Sequence, residues 1–207
     1  MPFDYAKASQ QIDDTSCGCC TTAWVLKTLN QRRQLKLPNG ARLKNQGRAR
    51  YWDIGNSMME EDLFPIREKH GLETTMPSSI VRTILTNTRN VHLVLETSPT
   101  IETIFNKSGY ANEVTALLAA VNNSSNAEHV YIDTYLRRPA ATHLCSIGLM
   151  GRTDNSLHWL YQEAGNGSWC DPGMPNNRHW FKAHTAYSSA GKGSLGLPLG
   201  VNIYIYK

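Results

Sequence analysis

The chain holds 207 residues, 41% of them apolar and 18% charged, with a net charge of +4. This composition excludes a disordered chain and supplies enough apolar surface for one domain with a proper core. No stretch approaches the roughly 20 apolar residues of a membrane helix, and the first residues, Met1 to Gln11, lack the apolar centre of a signal peptide. The expectation is a single domain over 1–207, either cytoplasmic or exported by a dedicated secretion machine.

Five cysteines are present: Cys17, Cys19, Cys20, Cys145 and Cys170. The number is odd and three crowd into four positions, so they do not read as a disulfide framework. Cys17 and Cys20 make one Cys-x-x-Cys pair, but a zinc site wants a second pair. No metal and no cofactor are expected, and reduced thiols suit the composition.

The charge is uneven. No acid occurs between Asp14 and Asp53, an interval that holds Lys27, Arg32, Arg33, Lys36, Arg42, Lys44, Arg48 and Arg50. The stretch 27–50 is either a patch for an anionic partner, such as nucleic acid or a lipid surface, or a solvated loop. The loop is preferred, because aromatics do not interleave with the basic residues as stacking on single strands requires.

In chain order, the cluster Asp13, Asp14, Thr15, Ser16 caps a helix with Cys17 in its first turn and an apolar run to Leu26 behind it. Positive partial charge at a helix start favours thiolate, the reactive form, so the position suits a nucleophile. Gln11, six positions earlier, would return its amide to hold a developing oxyanion. Leu35 to Arg50 reads as a polar loop with a turn at Pro38, Asn39 and Gly40. Trp52 to Leu63 and Ile66 to Gly71 read as helices, and Pro77, Ser78 and Ser79 open another that runs to Leu85. Val91 to Glu96 alternates like a strand. Asn112 to Val121 reads as a helix. His129 to Leu136, His143 to Met150 and Leu157 to Gln162 read as strands, Ser168 to Asp171 as a short extended piece, and Val201 to Tyr206 as a final strand. Helices first and an antiparallel sheet last is an α+β layout.

The order of these elements and the Gln11-to-Cys17 spacing resemble the papain-like cysteine peptidases, and most closely their compact bacterial members, which include effector peptidases and bacteriocin-maturing peptidases. The resemblance implies a helical half carrying the nucleophile, packed on a sheet half carrying a histidine. It implies Cys17 as nucleophile, His143 as general base at the head of a strand that reaches Gly148, Glu163 as the third member, and Gln11 in the oxyanion hole. A protein or peptide would be the substrate, cleaved through a thioester, with a bacterial effector or toxin role as an extension. Two alternatives stay open. A register reading Cys-x-x-Cys-then-helix makes Cys20 the nucleophile, but no glutamine stands six positions before it. His158, followed by Trp159, pairs with Asp171 before Pro172 as a rival to His143 with Glu163. His143 is preferred because a helix and a strand lead directly into it. The same triad would also serve a glutamine deamidase or an acyltransferase, and a non-catalytic binding module on the same scaffold is the competing class.

Overall fold

The computed structural model describes residues 17–29, 75–107, 110–132, 144–152, 157–163, 168–169, 171–172, 181–182, 187–188 and 195–207. The elements expected at 35–50, 52–63 and 66–71 lie outside the described residues, as do Gln11 and His143.

Helix α1 spans Cys17–Thr28, so Cys17 stands at its first position. Thr21 and Thr22 are buried without penalty, because each hydroxyl finds a carbonyl one turn back. Thr21 Oγ1 donates to the Cys17 carbonyl at 3.0 Å and Thr22 Oγ1 to the Gly18 carbonyl at 2.7 Å. Helix α2, Pro77–Asn87, starts on a proline, whose missing N–H costs nothing there. The residue before it, Met76, has no capping side chain. The cap comes instead from Glu113, which accepts from the Ser78 N–H at 2.6 Å and from Ser78 Oγ at 3.0 Å. A carboxylate at a helix start is favoured both by the orphan N–H groups and by the helix dipole.

Strand β1, His92–Thr97, runs parallel to β2, Ala127–Tyr131. Parallel neighbours need a crossover, here made by helices α3, Thr100–Lys107, and α4, Ala111–Asn122. The later strands are β3, Cys145–Arg152; β4, Leu157–Glu163; β5, Ser168–Trp169; β6, Phe181–Lys182; β7, Tyr187–Ser188; and β8, Leu195–Tyr206. The main sheet has the order β2-β1-β8-β3-β4, with β7 added beside the start of β8, while β5 and β6 form a separate ribbon.

The chain is therefore α+β, with two corrections to the expected layout. The sheet is mixed, since β1 pairs parallel to β2 and antiparallel to β8. Its strands do not all follow the helices either: β1 precedes α3 and α4. The reason lies in β1 itself, buried along nearly its whole length as a strand with neighbours on both sides must be. Helix α3 is an addition to the expected elements. Its Ile101, Ile104 and Phe105 fall on one face at helical spacing.

One core unites the helices and one face of the sheet: Trp24, Val25, Leu26, Ile80 and Ile84 with Leu93, Leu95, Ile147, Leu149, Trp159, Tyr161, Ile203 and Ile205. Where the β3–β8 register shifts, between Gly148 and Met150, Gly200 takes φ 75. Its carbonyl accepts from the Ser98 N–H at 2.8 Å, and a Cβ there would lie 2.1 Å from Ser98 Oγ. Only glycine satisfies both conditions. Among the described residues no helix is long and apolar enough to cross a membrane.

Candidate active site

The site forms where the start of α1 meets β4. In the described sheet β4 is the last strand, paired on one side with β3. Alternate N–H groups of such a strand point away from the ladder and seek other partners. That of Trp159 donates to Cys17 Sγ at 3.4 Å. The Trp159 side chain lies on the helix-facing side, and its Nε1–H donates to the Thr75 carbonyl at 2.9 Å. Gly18 makes the approach possible. A Cβ at that position would sit 2.6 Å from Thr75 Cβ and 2.8 Å from Trp159 Cδ1. Further along α1, Trp24 meets Tyr161 edge-on at 5.7 Å, and Thr28 Oγ1 hydrogen-bonds the Tyr161 hydroxyl at 2.7 Å. These contacts hold α1 along β4.

His158 precedes Trp159 and by strand alternation projects from the opposite face. Its Nε2–H donates to Asp171 Oδ1 at 2.8 Å. Asp171 follows β5, which packs beside β4. With Nε2 engaged, the other ring nitrogen, Nδ1, is the one left to hydrogen-bond the Cys17 sulfur. Burial alone would lower the His158 pKa. The charge of the Cys17 sulfur, the hydrogen bonds to Asp171 and Cys17, and the Asp171 charge more than reverse this and push the ring up to about 10. The imidazole is thus a buried cation at neutral pH, held between the Asp171 carboxylate and the Cys17 sulfur. Cys17 is 1% exposed, and His158 and Asp171 are 4% each. A buried charge of this kind persists only when paired and hydrogen-bonded.

Of the residues expected to act together, Cys17 stands in this cluster. Glu163 does not. It lies five residues beyond His158 on β4, on the opposite face and about 16 Å along the strand, and it stands opposite Cys145 in the ladder. Burial pushes the Cys145 thiol far up; a hydrogen bond from Tyr161 opposes this, and the Glu163 charge adds to it. Glu163 therefore belongs to the surroundings of Cys145. Among the described residues, the histidine that reaches Cys17 is that of the rival pair, His158, with Asp171 bonded behind it. His143, Gln11 and the basic positions 30–50 lie outside the described residues. Cys20 is buried one turn further along α1.

Sequence reasoning missed Trp159 and Thr75 as the groups that fasten the cysteine to the strand. The one signal available was the tryptophan directly after a histidine in LHWLYQE. Among the described residues, no group of three His, Cys, Asp or Glu side chains is arranged to hold a metal ion. Comparison of the chain with family models, curated proteins and solved structures found no match.

Proposed function

We propose that the protein is a papain-like thiol hydrolase that cleaves peptide bonds, with Cys17 as nucleophile, His158 as general acid–base and Asp171 as the residue that orients the ring. One observation carries the reading. A buried His158–Asp171 hydrogen bond of 2.8 Å stands against the sulfur of a cysteine at a helix start, brought there from the far end of the sequence. The helical layer bearing the cysteine, packed on a sheet bearing the histidine, supports the same reading at the level of layout.

The chemistry follows from the groups. With its proton held on His158, the Cys17 sulfur attacks the carbonyl carbon of the scissile bond. The resulting oxyanion is held by the Cys17 N–H at the start of α1, with Gln11 as the second donor that the resemblance implies. His158 returns its proton to the departing amine as the C–N bond breaks, leaving a thioester. Water then attacks with His158 as base, and the acid product leaves as the thiol re-forms. Asp171 accepts from Nε2 throughout and keeps Nδ1 toward the sulfur.

The same thioester forms when the leaving group is ammonia from a glutamine side chain, or when an amine replaces water, so deamidation and acyl transfer are the neighbouring reactions. A non-catalytic binding module has one observation on its side, the 1% exposure of Cys17. The deciding experiment is incubation of a mixed proteome with wild type, Cys17→Ala and His158→Ala. New peptide N-termini made by wild type alone support the peptidase. Glutamine-to-glutamate changes without new termini move the assignment to deamidase. Identical digests from all three proteins leave the binding module.

A further inference from the structure

We propose that Cys17 and Cys20 form a redox-reactive dithiol, in which a hydroperoxide oxidises Cys17 and Cys20 closes the disulfide. The inference rests on Cys17 being the reactive sulfur of the proposed site, but it requires no hydrolase activity.

The geometry comes from α1. Because the helix begins at Cys17, both cysteines lie in its first turn, where residues i and i+3 share a face. Their Cα atoms in a regular helix are about 5 Å apart, within the range of about 4.4–6.8 Å that disulfides span. Neither is in a disulfide and both are buried, Cys17 at 1% and Cys20 at 6% exposure. Cys145, the other free cysteine among the described residues, lies four positions along β3 from Leu149, the ladder partner of Trp159. A second, independent observation sets Cys17 apart. The His158 ring is hydrogen-bonded to it, and the Trp159 N–H is directed at its sulfur at 3.4 Å. Cationic and N–H partners at a sulfur favour the thiolate, the form that a peroxide reaching the site oxidises.

The step balances as follows. The Cys17 sulfur, its proton held on His158, attacks one oxygen of hydrogen peroxide. The O–O bond breaks, sulfur is oxidised to the sulfenic acid, and the departing hydroxide takes the proton from His158 to become water. The Cys20 thiol then attacks the sulfenic sulfur. The S–O bond breaks, the disulfide forms, and the thiol proton leaves with the hydroxyl as a second water. Two thiols and one peroxide give one disulfide and two waters. The nucleophile is withheld while oxidant persists, protected from sulfinic acid, and returned by a reducing thiol.

The test uses the full chain, excess hydrogen peroxide, alkylation of the remaining thiols, and fragmentation mass spectrometry. The expected product is a Cys17–Cys20 disulfide, two hydrogens lighter, which dithiothreitol reverses. In Cys20→Ser the same treatment carries Cys17 on to sulfinic acid, with a yield up by about tenfold that no thiol reverses. Sulfinic or sulfonic acid at Cys17 of wild type with no disulfide overturns the inference, as does a disulfide that uses Cys19. The wild-type readout stands whether or not Cys20→Ser folds. A disulfide in a protein that cleaves nothing keeps the dithiol and removes the hydrolase. Cleavage by a protein that forms no disulfide does the reverse.

Discussion

His158 carries a charge that nothing in an apolar interior would grant it alone. Burial works against the cation, and the Cys17 sulfur is the largest influence on the other side, ahead of Asp171. The sign of the coupling is therefore testable. In wild type the imidazole should titrate near 10 rather than near the ordinary value of 6.5. In Cys17→Ala the strongest upward pull is gone while burial remains, so the NMR titration midpoint of His158 should move down. An unchanged midpoint would mean that the sulfur does not face the ring. Asp171 acts on the same ring from the far side. Asp171→Asn should lower kcat by about a hundredfold or more while KM moves little, because the amide neither stabilises the cation nor fixes its orientation. Parallel loss in kcat and KM with a collapsed fold would reduce Asp171 to a packing residue. The sequence showed both histidine–acid pairs, and the order of its elements pointed to His143. Chain order favours His143, which follows a helix and a strand, whereas proximity to Cys17 depends on which strand ends the sheet.

At the scale of elements, the meeting of α1 and β4 decides the site. Strand β3 is hydrogen-bonded on both sides, by β8 and β4, so neither of its edges can receive a helix start. β4 has an outward N–H to offer, and Cys17 takes it. That distinction is a property of strand order, invisible in a linear reading. Periodicity did reveal α1, α2, β1, α4, β3, β4 and the end of β8, because each has a sustained apolar pattern and most have a cap or a turn at their ends. It did not reveal α3, which is only eight residues long, nor the parallel pairing of β1 with β2. Two substitutions test the scaffold. Gly18→Ala places a methyl 2.6 Å from Thr75 Cβ and 2.8 Å from Trp159 Cδ1, so α1 or the groups packed on it must shift. Its expected effect is a fall of about tenfold or more in Cys17 alkylation rate, since small misplacements of reacting groups are costly. An unaltered rate would show that the close approach is irrelevant to the sulfur. Glu113→Ala removes the carboxylate that caps α2 next to Thr75. It should cost about 1–3 kcal/mol in urea unfolding, the penalty of leaving a buried donor unsatisfied. A change within error would place the cap's work elsewhere.

For the molecule as a whole, the fold gathers groups that the sequence scatters. Cys17 opens the first described helix, Thr75 precedes the second, His158 and Trp159 lie on the terminal strand, and Asp171 follows a short ribbon strand. No local stretch contains the site, which is why motif reading finds its parts and only tertiary structure assembles them. The arrangement is closed, with cysteine, imidazole and carboxylate all nearly inaccessible, so any substrate must displace what covers the sulfur. The most direct test is the alkylation rate of each cysteine by iodoacetamide at neutral pH, mapped by mass spectrometry in wild type and in His158→Ala. The account predicts that wild-type Cys17 reacts well ahead of Cys145 and that His158→Ala removes this lead. Equal rates at the two cysteines in wild type, or a lead that survives loss of the imidazole, would contradict it.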